Sequence, residues 1–189
     1  MVNFPPEFCP YCGAELGTVT HQGEPLLFCD PCDRPIFHNP VPGTGVVVVD
    51  DDRLLLVERA TGATAGDWMV PGGHVELGEH PHETAARELE EETGLVVDPA
   101  DLALFLARTS EPEPGKEVLS VEYVVDRSAT TGELAAATDA ADARFWTPGA
   151  LAAADETLRP NHADRFGTAD LAWLLDEATA TLDGTSSHP

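Results

Sequence analysis

Apolar runs in this chain alternate with clusters of turn-forming residues, and the spacing inside each run indicates the element it should form. "GVVVV" (Gly45 to Val49) is continuously apolar over a strand's length, which predicts a buried strand. Asp50 to Asp52 form a turn, and "RLLLVER" (Arg53 to Arg59) follows as a second strand. Further strands are expected over Leu102–Thr109 and Glu117–Arg127, joined by the Pro-Gly loop "SEPEPGK", and over Ala143–Trp146. "TPGALAAADE" and "TADLAWLLDEATATL" read as helices, the second with Leu171, Leu174, Leu175 and Ala178 at helical spacing. Residues 61–66, "TGATAG", are a loop, and residues 183–189, "DGTSSHP", read as a disordered tail. Strands and helices interleave without an internal repeat, so the expected class is α+β, a sheet with helices packed on it.

The N-terminal segment has another logic. All four cysteines fall there, as "CPYC" (Cys9, Cys12) and "CDPC" (Cys29, Cys32), with sixteen residues between the pairs. That spacing matches a zinc ribbon, in which two knuckles supply four thiolates tetrahedrally. The alternative is disulfides, which an intracellular setting disfavours. About 35 residues cannot build a sufficient core unaided, so Zn²⁺ should supply folding energy. Four cysteines leave no open coordination position, which makes the site structural. Pro35, Asn39-Pro40 and Pro42-Gly43 mark a linker, giving a ribbon over 1–38 and a second domain over 39–182.

Charge narrows the partners. Acidic residues number 34 against 10 basic ones, Lys116 is the only lysine, and the formal net charge is -24. Nucleic acid and anionic membranes would be repelled. Self-repulsion also opposes compactness, but at about 1 M salt the screening length falls to roughly 3 Å and most of that penalty disappears. The composition therefore resembles that of halophilic proteins. With no candidate membrane span or secretory leader, the expected location is cytoplasmic.

The densest charge lies in "RELEEETGL", Arg87 to Leu95, where four glutamates occupy five positions. A helix is expected here, with His80 at the N-cap, Pro81 at the first helical position, Glu83 at capping-box spacing and Gly94 ending it. Ala85, Ala86 and Leu89 form its apolar stripe. Glu88, Glu91 and Glu92 stand at i, i+3 and i+4 on neighbouring parts of one surface, and Glu90 points elsewhere. In so acidic a chain such a helix is usually a solvated face. The other reading is that a cation sits against it, since carboxylates near a helix C-terminus are unfavourable unless neutralised. Hard oxygen ligands suit Mg²⁺ or Mn²⁺.

The flanks decide between these readings. Gly73, Glu79, Arg87-Glu88-Leu89, Glu91-Glu92, Gly94 and Leu95 fall at the spacing G-x5-E-x7-R-E-U-x-E-E-x-G-U, where U is apolar. The chain over roughly Gly43 to Leu182 thus resembles the Nudix hydrolases. The resemblance implies an α/β/α sandwich around a mixed sheet, with the box as loop–helix–loop; the zinc ribbon read from the cysteines would precede it. It implies Mg²⁺- or Mn²⁺-dependent hydrolysis of a nucleoside diphosphate linked to a group X. It makes Glu88, Glu91 and Glu92 catalytic metal ligands, joined by a backbone carbonyl of Gly72 or Gly73. Arg87 would orient Glu91, and Glu79 would support the network or hold a second metal through water. Glu111, Glu113, Glu117, Asp139 and Asp142 are open as the general base.

Trp68 is a packing residue before the Pro71 turn on the plainer reading, and a base-stacking, substrate-binding residue on the other. His74 and His82 are read as surface or structural, and His38 as packing against the ribbon. A ribbon before such a domain is similar to the NADH pyrophosphatase branch and to related FAD and ADP-ribose enzymes. In "SEPEPGKEVLS", Ser110, Pro112 and Pro114 echo the NADH loop, but its aromatic residues are absent. Pro112 points instead to an ADP-ribose type of substrate. The rivals are a nucleoside triphosphate pyrophosphatase and a non-catalytic nucleotide sensor. Related enzymes are often dimers, so a homodimer is the expectation by analogy.

Overall fold

The structure is a computed structural model, describing residues 4–137 and 140–185. Asp139 and the tail residues 186–189 lie outside the described residues. At the N-terminus, β1 (Gly17–His21), β2 (Glu24–Cys29) and β3 (Arg34–Ile36) form a small antiparallel sheet. Its core is Cys9, Cys29 and Ile36, with Ala14, Leu16, Leu27 and Cys32 against it. So small an apolar cluster is what the length argument anticipates for a segment in need of a staple.

Residues 37–40 lead into the second sheet. Its elements in chain order are β4 (Val41–Asp50), β5 (Arg53–Arg59), β6 (Trp68–Met69), β7 (Gly72–His74), α1 (Pro81–Thr93), β8 (Ala103–Glu113), β9 (Lys116–Asp126), β10 (Ala140–Trp146), α2 (Pro148–Ala153), α3 (His162–Phe166) and α4 (Leu171–Leu182). The main path runs β10-β5-β4-β9-β8. β4 and β9 pair in parallel, from Val41 with Val118 to Val49 with Asp126, while the remaining strand pairs are antiparallel. The sheet is therefore mixed.

The valine run explains the layering. Side chains alternate across a strand, so Val47 and Val49 join Leu54, Leu56, Phe105, Leu171 and Leu174 on one face. Val46 and Val48 join Leu55, Ala85, Leu89 and Leu95 on the other. Helix α1 covers the second face, and α2 to α4 lie on the first. A strand buried on both sides has no polar position to spare, which is why its sequence does not alternate.

Several boundaries differ from expectation; β10 begins three residues early, at Ala140. β4 begins at Val41, so Pro42-Gly43 belong to the strand. β8 and β9 continue through most of "SEPEPGK", leaving only the turn Pro114-Gly115. The prolines are tolerated because β8 is an edge strand and its register shifts between Ser110 and Glu113.

β4 meets β5 only at Val49 and Asp50; further up, β7 pairs with Gly43–Gly45 and β6 with Val57 and Glu58. The β6–β7 connection is thereby wedged between the two strands, and Val46 N–H donates to the Pro71 carbonyl at 3.1 Å. This wedge brings Gly72-Gly73 under α1. No helix among the described residues is long and apolar enough to cross a membrane.

Candidate functional site

Helix α1 starts and stops where its capping residues require. His80 is the N-cap with extended backbone, its N–H donating to Glu83 Oε2 at 2.9 Å, and Pro81 is the first helical residue. Gly94 closes the helix at φ 71°, where a Cβ would come 2.8 Å from the Glu133 carbonyl oxygen. With Ala85, Ala86 and Leu89 turned to the sheet, the acidic side faces the Gly72-Gly73 wedge. Glu92 is buried, at 6 % exposure, and its Oε2 accepts the Gly72 N–H at 2.9 Å. A Cβ on Gly73 would overlap the Glu88 carboxylate, so glycine at that position admits the glutamate.

Arg87 organises the rest. Its Nε and Nη2 donate to Glu79 Oε1 and Oε2 at 2.9 and 3.1 Å, a two-point grip, and Thr84 Oγ1 donates to Glu79 Oε2 at 2.7 Å. These bonds from Arg87 and then Thr84 hold the Glu79 carboxyl down at about 2. Arg87 Nη1 reaches Glu88 Oε1 and Glu91 Oε2, each at 3.0 Å. The arginine therefore bonds Glu91 as anticipated and bonds Glu79 more fully. The three helix carboxylates lie on one side without closing into a tight cage. Glu88 and Glu91 are drawn to one arginine nitrogen while Glu92 is held by a backbone amide. Their hard oxygen donors suit Mg²⁺ or Mn²⁺ in kind.

The cysteines do close up. Their four Sγ atoms lie within 4.8 Å of one another, the one such group of metal-ligating atoms among the described residues. Cys9 to Cys32 measures 4.0 Å and Cys12 to Cys29 3.5 Å. Tetrahedral zinc–thiolate bonds of about 2.3 Å put sulfurs ~3.8 Å apart, so the quartet fits Zn²⁺.

Trp68 packs, as its plainer reading has it, and the substrate-binding reading loses support. The residue is 1 % exposed, meets Trp146 edge-on at 5.1 Å, carries the Arg144 guanidinium at 5.1 Å and donates from Nε1 to Glu156 Oε2 at 2.9 Å. No ring face is left open to a nucleobase.

The general-base candidates separate. Glu111 accepts the Gly115 N–H at the hairpin turn, Glu117 is exposed on β9, and Asp142 pairs with Arg144 on β10. Glu113 lines a cleft that continues from Gly72-Gly73 past His74, Pro112 and Lys116. His74 thus borders the cleft, and burial together with Lys116 lowers its pKa. A larger cavity of about 530 Å³, between β8 and α4, contains none of the box glutamates.

Glu122 and Arg165 are absent from the sequence reading. Glu122, fully buried in β9, takes two contacts from Arg165, Nε to Oε1 and Nη2 to Oε2, the latter at 2.7 Å. Arg165 Nη1 also donates to the Val70 carbonyl at 3.0 Å, bracing the wedge from behind. Gly45 must be glycine, since a Cβ would overlap this guanidinium and stand 2.5 Å from the Pro71 carbonyl oxygen. A glutamate inside the apolar run "VEYVV" was the available signal.

One turn away, His162 is 3 % exposed, with Nε2 lacking a hydrogen-bond partner. Burial, and then Arg165, push its pKa down from 6.5 to about 4. The folded state thus refuses a proton that the unfolded chain accepts. The resulting stability is present above pH 6.5 and is lost as pH falls from 6.5 towards 4. In His162→Leu the decline of melting temperature across that window should be shallower than in wild type. Parallel curves would exclude this origin.

Comparisons with known proteins agree with this geometry. A family profile described as the NUDIX domain matches residues 39–166. An ADP-ribose pyrophosphatase of Methanocaldococcus jannaschii is 32 % identical over 111 residues, 59 % of this chain and 64 % of that protein. The NAD-capped RNA hydrolase NudC of Shigella dysenteriae is 29 % identical over 120 residues, 64 % of this chain and 44 % of that protein. The match therefore spans less than two thirds of either relative's own length. The crystal structure of a NUDIX hydrolase from Nitrosomonas europaea superposes with a TM-score of 0.67 at 20 % identity, covering 97 % of this chain and 96 % of that one, a likeness of fold.

Proposed function

The chain belongs to the Nudix family, and from that premise we propose that it is a pyrophosphohydrolase dependent on Mg²⁺ or Mn²⁺. Its substrate is a nucleoside diphosphate linked to a second group, of the ADP-ribose, FAD or NADH type, and it releases a nucleoside monophosphate. The observation that carries this reading is the packing of Glu88 and Glu92 onto the Gly72-Gly73 backbone, with Arg87 tying Glu79, Glu88 and Glu91 together.

In this reading Glu88, Glu91 and Glu92 hold the catalytic cation, with a carbonyl of Gly72 or Gly73 as a further ligand. When bound, the cation neutralises phosphate oxygens and acidifies a water, the two things a diphosphate needs before a nucleophile can approach. Arg87 and Glu79 form a fixed ion pair that keeps the glutamates oriented. Glu113, at the end of β8, borders the cleft at 60 % side-chain exposure and is the carboxylate outside the box best placed to take a proton. The cysteine quartet holds a structural Zn²⁺ in a ribbon over 1–38, ahead of a catalytic domain over 39–182.

Among substrates, ADP-ribose is favoured. Pro112 lines the cleft, and the aromatic residues of the NADH-type loop have no counterpart in 110–120. The test is product analysis on ADP-ribose, NADH, FAD and deoxynucleoside triphosphates, with Mg²⁺ or Mn²⁺ in molar KCl, which the charge of -24 makes the appropriate medium. AMP from ADP-ribose is the expected result. Inorganic pyrophosphate from a triphosphate would select the pool-cleaning reaction instead, and no turnover of any of them would overturn the proposal.

A further inference from the structure

The chain has ten cationic residues among thirty-four acidic ones, and three of the ten, Lys116, Arg159 and Arg165, line the cleft beside Gly72-Gly73. Glu113 is the one carboxylate among the cleft's lining residues. On a surface this acidic, that local reversal of sign needs a cause.

The three cations are not equivalent. Arg165 is neutralised by Glu122. Lys116 Nζ lies 3.6 Å from the largely exposed Glu113, and such pairs are weak and readily exchanged. Arg159 has no carboxylate in ion-pair range among the described residues. Among the described residues its side chain makes one hydrogen bond, Nη1 to Met69 Sδ at 3.6 Å, a poor acceptor. The nearby Asp67 accepts the Thr157 hydroxyl at 2.9 Å instead.

Arg159 is also held in place. Its N–H donates to the Trp68 carbonyl at 2.9 Å, and its carbonyl accepts the His162 N–H at 2.9 Å. The segment 157–159 thus runs beside β6 as a short parallel bridge. A half-buried guanidinium on this fixed backbone, near the Arg59 and Arg165 guanidinium groups, is unfavourable until an anion arrives. Its planar donor fork matches two oxygens of a phosphate.

We propose that Arg159, backed by Lys116, is the phosphate-gripping arm of this cleft, bonding non-bridging oxygens of the substrate's diphosphate and so setting which substrates bind. This rests on the diphosphate reading above. It makes Arg159 a binding residue, and one outside the Gly73–Leu95 box.

The probe is inorganic pyrophosphate, titrated calorimetrically into the zinc-loaded protein with no added Mg²⁺ or Mn²⁺. A lost charge-assisted hydrogen bond should weaken its Kd by about 10- to 100-fold in Arg159→Gln. With ADP-ribose and Mg²⁺, KM should rise by a similar factor while kcat stays within about threefold. Arg159→Lys should recover part of the affinity. Arg108→Gln, which alters a cation lining the cavity between β8 and α4 and absent from the cleft's lining, should change neither quantity. In the unmutated protein, saturating pyrophosphate should protect Arg159 from phenylglyoxal, a readout independent of how any variant folds. Wild-type affinity in folded Arg159→Gln, or labelling that pyrophosphate does not slow, would overturn the assignment. If the protein cleaves no diphosphate yet binds pyrophosphate through Arg159, the proposed reaction fails and the anion site stands. Cleavage with affinity indifferent to Arg159 removes this inference alone.

Discussion

Glu92→Gln is expected to lower kcat with Mg²⁺ by about a thousandfold while leaving the protein folded. Glu92 is buried, and its Oε2 accepts the Gly72 N–H at 2.9 Å. A glutamine side-chain oxygen can accept the same bond, so the wedge should keep its place. What disappears is the negative charge. Charge stabilisation by a catalytic cation is worth several kcal/mol, and 1.4 kcal/mol is a factor of ten in rate, hence the expected size. Glu90→Gln is the matched control, since Glu90 is exposed on the same helix and should stay within about twofold of wild type. The measurement is steady-state turnover of ADP-ribose alongside thermal melting of both variants. Wild-type Mg²⁺-dependent turnover in a folded Glu92→Gln would remove Glu92 from the metal site. A loss of activity accompanied by unfolding would instead make it a structural glutamate.

The elements legible in the sequence were those encoded by neighbours in the chain. Arg53–Arg59 has the same limits in sequence and structure because an Asp turn precedes it and its apolar run is unbroken. Helix α1 was legible because Pro81, Glu83 and Gly94 each act within one turn of the residue they cap. The cysteine quartet was legible because two short spacings suffice to describe a knuckle.

What escaped depends on distance. The strands flanking Pro114-Gly115 outran their expected ends because the cross-strand partners, not the local prolines, decide how far an edge hairpin extends. Trp68 kept two readings because its neighbours in the chain do not say what covers the ring; Trp146, 78 positions later, packs against it. Arg159 is one of nine arginines and nothing beside it in the chain marks it; the fold places it in a cleft with Lys116. Composition anticipated a protein that repels anions, and the fold supplies a local exception.

Arg165→Met should be the most destabilising single substitution away from the cysteines, at about 3–5 kcal/mol, because it strands a buried charge. Glu122 is fully buried, so without the guanidinium its carboxylate is left in a poorly solvated site with no counter-charge. The Val70 carbonyl loses its donor too. Against a typical total of about 5–15 kcal/mol, that is a large share. The partner substitution supplies the control. Adding Glu122→Gln to Arg165→Met removes the stranded charge, and most of the lost stability should return, as a coupled pair requires. Urea unfolding of wild type, both single variants and the double variant gives the full cycle. A loss under about 1 kcal/mol in Arg165→Met, or no recovery in the double variant, would mean that Glu122 finds another partner. Salt separates this pair from the rest of the surface. Molar KCl should relieve the repulsion among exposed carboxylates, yet it should leave the Arg165→Met deficit nearly unchanged, because screening acts weakly on buried charges.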